Sequence, residues 1–283
     1  MANVRNVFSI ALYNLRKWFI NPRIYLIFFM MFLYLHSILS PIKLFCAQAN
    51  HNITPYVFPY IMSHTNSVLL IMLGIGLLFC DAPFIEIDQP YIIMRSGRTL
   101  WAVGNILYML MASFLYFFII VACSILILCP YLEFGLDWGK VIGTFAQTTV
   151  APQHNIFIPF SFSIYNAYTP ILALLLSFLN CWLISFAIAL LMFVLNLNVS
   201  RFAGILGASL LVFWQLVVTK TWTGFTKFSP VTWVSLSRID TTASTLYPTL
   251  QHVYIAATII IILLSTLCVI SMKKRDIDIL KSV

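Results

Sequence analysis

Three of the chain's eight acidic residues and two of its arginines crowd one short stretch: Asp81, Glu86 and Asp88, then Arg95 and Arg98. Pro83 and Pro90 frame its middle, so Ile85, Glu86, Ile87, Asp88, Gln89, Pro90 and Tyr91 form the segment where charge is densest. General acid–base catalysis would need a histidine or second acid held against one of these carboxylates, and no acid and histidine share a local motif. These residue types suit a short, rigid, charged knob: proline and acids belong at a helix start, and arginines at its end. Such a knob can take force from a cytoplasmic partner. The same residues also make a solvated turn in which Asp81 pairs with Arg95 or Arg98.

Other chemistry is thinly represented. Gly135, Leu136, Asp137, Trp138, Gly139, Lys140 and Val141 come nearest to a phosphate-binding loop, but the glycines stand one residue too close and Val141 lacks the hydroxyl that holds magnesium. No catalytic residue is assigned, and no cofactor is expected on this chain. His51, His64, His154 and His252 lack paired ligand spacing and no two cysteines form C-x-x-C, so no metal site is expected. Cys80, Cys123, Cys181 and Cys268 fall in apolar runs and read as packed thiols. A disulfide between Cys46 and Cys129 stays open.

Polar residues inside apolar runs mark either a substrate path or hydrogen bonds between helices. His36, Asn180 and Gln215 are the candidates, and none carries a formal charge at neutral pH. A proton relay or a small-ion pathway fits them poorly. Ala203 with Gly207, and Gly204 with Ala208, form overlapping small-residue pairs that allow close helix approach.

The elements that carry these residues are membrane spans. Residues 24–42, 61–80, 101–129, 171–195, 202–218 and 253–272 are apolar runs, each able or nearly able to cross a bilayer that needs about 20 apolar residues per helix. The second is the weakest, because Ser63, His64, Thr65, Asn66 and Ser67 must lie at the outer headgroups or inside the bundle. Composition agrees: 61% of 283 residues are hydrophobic and 8% charged, with a mean hydropathy of +0.97. A soluble domain cannot hide that much apolar surface. The net charge of +8 follows from topology rather than nucleic-acid binding. With both termini cytoplasmic, eleven of the sixteen Lys and Arg fall on inner segments, as the positive-inside rule expects. No cleavable signal peptide is expected.

Before the first span, Val4, Val7, Phe8, Ala11, Leu12, Leu15, Trp18 and Phe19 recur at the spacing of one helix face, with Arg5, Asn6, Ser9, Asn14, Arg16 and Lys17 largely opposite. This predicts a helix lying on the inner membrane surface, ended by Asn21 and Pro22. A simple positively charged anchor is the alternative. The expected organisation is one all-α membrane domain over 1–283: an amphipathic elbow helix (1–23), a six-span bundle (24–272) and a cytoplasmic tail (273–283).

Set in that architecture, Leu78-Phe79-Cys80-Asp81-Ala82-Pro83-Phe84, then Arg95-Ser96-Gly97-Arg98 with Trp101, then Phe228-Ser229-Pro230-Val231-Thr232-Trp233 resemble permease subunits of bacterial ATP-binding cassette exporters, ABC-2 type or type V. Members of that family are often paired with peptide or antibiotic export. The resemblance implies that Ile85 to Tyr91 form a coupling helix docked on an ATPase, with Arg16, Lys17 and Trp18 ending the elbow. It also implies two ATPase subunits holding ATP and magnesium, a second permease chain, and short re-entrant helices before span six. Trp222, Phe225, Phe228 and Trp233 would anchor those helices at the outer interface. Residues 135–163 make the outer connection between spans three and four longer and more polar than that pattern, which leaves room for a cap or substrate gate. A non-transporting immunity or sensor protein, and more remotely a lipid-processing membrane enzyme, are the competing classes.

Overall fold

The computed structural model describes residues 2–82, 84, 89–200, 202–240 and 247–274. Among them are twelve α-helices: α1 Ala2–Arg16, α2 Pro22–Ala49, α3 Phe58–Ile61, α4 Thr65–Leu78, α5 Gln89–Ser96, α6 Arg98–Leu128, α7 Gly139–Gln147, α8 Val150–Gln153, α9 Phe162–Ala167, α10 Pro170–Asn198, α11 Ala203–Lys220 and α12 Leu250–Lys274. Five of these, α2, α6, α10, α11 and α12, are long and apolar enough to cross a membrane. The chain is therefore an all-α membrane protein.

The sixth expected span is divided. α4 has 14 residues, about 21 Å of rise against a hydrocarbon core of about 30 Å. Its run begins as the single turn α3 and breaks at Ser63 and His64. Ser63 donates its hydroxyl to the Pro59 carbonyl at 2.9 Å, and His64 takes an extended conformation as the N-cap of α4. The polar residues that weaken the run are thus the ones that interrupt it. α4 is nonetheless enclosed, packed among α2, α10 and α11.

Local chemistry fixes the other boundaries. The Asn21 side chain accepts from the Arg23 N–H at 3.1 Å and Pro22 opens α2, a capped, pre-set start. α2 closes on Asn50 in the left-handed region, φ 52. The bundle helices alternate in direction. One end, here called proximal, gathers the start of α2, the close of α4, the start of α6, the close of α10, the start of α11 and the close of α12. Arg98 reaches the Lys273 carbonyl there, and Asn198 the Ser271 hydroxyl at 3.0 Å.

At the same end α1 lies across α6. From Val7 to Asn14 its partners advance only from Gly104 to Asn105, so the helices cross obliquely. The stripe that α1 buries differs from the expected apolar face: Ile10, Ala11 and Asn14 go inward while Val4, Phe8 and Phe19 stay exposed. Asn14 turns from the polar side to the core because Asn105 waits there, accepting its amide N–H at 2.7 Å. The exposed apolar residues are left for lipid.

At the distal end the connections fold into a cap. Ile53 donates its N–H to Tyr131 at 2.8 Å and accepts from Glu133 at 2.9 Å. The Thr54 hydroxyl bonds the Trp138 carbonyl, and the Trp138 indole N–H bonds the Tyr168 carbonyl at 3.1 Å. Tyr60, Trp138, Phe145 and Phe160 pack beneath, edge-on or tilted.

The α1–α6 crossing depends on Gly104, where an added Cβ would fall 2.8 Å from Ile10. Gly104→Val should cost about 2 kcal/mol by overpacking and lever α1 away. Thermal unfolding in nanodiscs should show a lower midpoint, and limited proteolysis should cut α1 faster than in the wild type.

Candidate functional site

The chemistry-bearing stretch leaves α4 through a turn gripped from three sides. Arg23, at the start of α2, donates to the Asp81 carboxylate at 2.6 Å and also to the Leu77 carbonyl and the Cys80 sulfur. Asn196, near the close of α10 and 4% exposed, donates its amide to the Ala82 carbonyl at 2.6 Å and the Cys80 carbonyl at 3.2 Å. Its side-chain oxygen accepts from the Gly204 N–H at 2.7 Å, which satisfies an otherwise orphan donor at the start of α11.

The third grip is aromatic. Phe84 takes a positive φ of 62, a costly conformation for a phenylalanine, and its ring meets Tyr108 edge-on at 5.1 Å. The Tyr108 hydroxyl accepts the indole N–H of Trp18 at 3.0 Å. The residue that ends the amphipathic segment therefore touches, through one tyrosine, the residue that leaves the α4 turn. Trp18, Arg23, Asp81, Phe84 and Tyr108 border a cavity of about 50 Å³ between them.

Of the expected coupling residues, Ile85, Glu86, Ile87 and Asp88 lie outside the described residues, while Gln89, Pro90 and Tyr91 form the first turn of α5. Tyr91 and Met94 are exposed on α5, and Ile93 is buried under them. Asp81 pairs with Arg23 rather than with Arg95 or Arg98, because antiparallel packing sets the start of α2 beside the close of α4. Arg16 is exposed at the end of α1, and the Lys17 ammonium stands 4.7 Å over the Tyr13 ring.

The three polar candidates within apolar runs do not share a surface. His36 is exposed on α2 beside Phe32. Asn180 and Gln215 are buried. Asn180 donates to the Trp233 carbonyl at 3.2 Å, tying α10 to the segment before α12. Trp233 itself is no interfacial anchor: it is buried, and its indole N–H bonds the Thr226 carbonyl at 2.9 Å. Trp222, Phe225 and Phe228 are exposed, one above another in a 3₁₀ turn over 223–228. Cys46 and Cys129 are both free thiols. Among the described residues no His, Cys, Asp and Glu gather as a metal site.

The small residues of α11 have two uses. Gly204 admits the Asn196 side chain, and Ala208 stands 4.0 Å from the Cβ position of Gly76 on α4. Beside that contact lies an apolar cleft of about 230 Å³, walled by Met72, Leu73 and Leu77 of α4 and Ile205 and Val212 of α11.

Asn14, Arg23, Asn105, Tyr108 and Asn196 carry this site without having been singled out from the sequence. The available signal was an asparagine within or at the edge of an apolar helix, where an unpaired amide is expensive. The fold and joint define the class, an α-helical membrane protein with a braced turn after α4. No family model, curated protein or solved structure matches the chain.

The grips differ in strength. Asn196→Ala strands two carbonyls and an N–H and should cost about 2 kcal/mol or more. The part-exposed Arg23–Asp81 pair should show a coupling of at most about 1 kcal/mol in a double-mutant cycle with Arg23→Ala and Asp81→Ala. Unfolding midpoints in mixed micelles measure both.

Proposed function

We propose that the chain is the permease subunit of an ATP-driven exporter of the ABC-2 type. One observation carries this reading: Trp18, Tyr108 and Phe84 join the end of the surface helix to the loop after α4, and Arg23 and Asn196 brace that loop against three further helices. A turn held in this way at residues 77–82 and Phe84 moves with the bundle, so a push that reaches it moves helices. In this reading residues 85–91 are the coupling segment, α1 is the elbow, and α4 with α3 serves as the sixth span. Two separate ATPase subunits hold ATP and magnesium, and a second permease chain, identical or homologous, completes the pathway.

The direction of the charges supports a cytoplasmic proximal end. Arg5, Arg16, Lys17, Arg23, Arg95, Arg98 and Lys273 belong to it, as a bacterial plasma-membrane protein with both tails inside would have. The apolar cleft between α4 and α11 favours an amphipathic cargo, whether peptide, antibiotic or lipid, over an ion or sugar. ATP-driven closure of the ATPases presses on the loops and shifts the population between inward and outward cavities.

Affinity purification of the tagged chain should bring an ATPase with it. The Glu86→Lys/Asp88→Lys variant should lose that partner or hydrolyse ATP without transport, and wild-type export by it would overturn the coupling assignment. Tyr108→Phe, which removes the hydroxyl that accepts the Trp18 indole N–H, should keep the ATPase bound while lowering export several-fold per ATP hydrolysed. Full activity of the purified chain with no nucleotidase present would favour the immunity or sensor reading instead.

A further inference from the structure

We infer that α1 is a seat for two anionic phospholipids of the proximal leaflet, each held by an arginine with a phenylalanine beside it. The inference stands on α1 and its junction with α2 and does not depend on the transporter reading.

The two units repeat along the helix. Phe8 follows Arg5 by three residues, and Phe19 follows Arg16 by three, so within each unit the side chains are surface neighbours. From Arg5 to Arg16 is about three turns, about 16 Å along the axis, and eleven steps of about 100° return the chain to within about 20° of the same face. All four side chains are exposed, Phe8 by 49% and Phe19 by 79%. Among the described residues neither guanidinium makes an ion pair or a hydrogen bond. Arg23, at the same end of the bundle, is by contrast committed to Asp81.

The order of groups around α1 is that of a lipid from tail to headgroup. Ile10, Ala11 and Asn14 are buried toward α6. Turning away from Ala11, Phe8 comes at about 60°, Arg5 and Arg16 at about 120–140°, and Ser9 and Asn6 beyond at about 160–220°. The apolar edge therefore lies next to the bundle, the cations outside it and the exposed polar groups farthest out. The Tyr25 hydroxyl donates to the Phe19 carbonyl at 3.0 Å, which ties the turn carrying Phe19 to the start of α2. Tyr25, Leu26 and Phe29 are exposed there, so an acyl chain beside Phe19 meets apolar surface that continues along α2.

Charge and apolarity together select the occupant. A free phosphate ion would engage the arginines and leave both phenylalanines in water, and an acidic protein surface would have to cover them with groups of the wrong polarity. A zwitterionic lipid brings its own cation to each guanidinium. An anionic headgroup does not, and two cations at an anionic surface favour it by a factor of about 30.

The test places the full chain in nanodiscs of phosphatidylglycerol and phosphatidylcholine in equal parts, then counts the lipids that leave with it by native mass spectrometry. Phosphatidylglycerol should be enriched among the retained lipids. The Arg5→Gln/Arg16→Gln variant should lose at least about tenfold of that enrichment, Arg5→Lys/Arg16→Lys should keep it, and Phe8→Ser/Phe19→Ser should retain less of both lipids. Lys140→Gln, at the distal end, should change nothing. For the wild type alone, raising salt from about 0.1 to about 1 M shortens the screening length from about 10 to about 3 Å and should erode the preference. Equal retention of the two lipids, enrichment that survives the glutamine variant or high salt, displacement of the lipid by soluble glycerol phosphate, or an acidic protein held by Arg5 and Arg16 in place of lipid would overturn the proposal.

Discussion

One asparagine amide holds the proximal end of the bundle together. Asn196 spends both its donor and its acceptor on backbone groups of two other segments, the turn after α4 and the start of α11. A helix that ends at a membrane surface leaves carbonyls unsatisfied, and the next helix starts with N–H groups in the same state. In a soluble protein water closes such gaps. Here the groups are buried, and a side chain one turn from the end of α10 does so. The position of the turn after α4 follows from that bond set and from Arg23 on the opposite side.

Periodicity and length made the five long helices legible, because a run of apolar residues with polar punctuation has few alternatives in a bilayer. The amphipathic α1 was legible as a helix and less so in its orientation. Its buried stripe is decided by a tertiary match, Ile10 in the gap over Gly104 and Asn14 opposite Asn105. A hydrophobic pattern averages over that match. The same limit applies to Asp81, whose nearest cations in sequence are Arg95 and Arg98 and whose actual partner, Arg23, is 58 residues earlier.

The cap shows what polarity alone conceals. Residues 135–163 read as a long polar connection, yet buried Trp138, Phe145, Ile156, Ile158 and Phe160 give it a core continuous with that of the bundle. Trp233 makes the converse point. As an aromatic near the outer interface it suggested an anchor, whereas Trp222, Phe225 and Phe228 are exposed and it is not. A tryptophan with a carbonyl in reach of its N–H can be buried outright.

The two ends of the bundle differ in how completely their polar groups are paired. The proximal amides of Asn14, Asn105 and Asn196 all hydrogen-bond to other groups in the protein. Toward the distal end, the Asn180 and Gln215 side-chain carbonyls and the hydroxyls of Ser177, Thr219 and Ser229 are buried with no partner among the described residues. A buried unpaired group costs about 1–3 kcal/mol, so a rearrangement that pairs or wets them offsets part of its own cost, while one that opens the proximal joint breaks bonds already made.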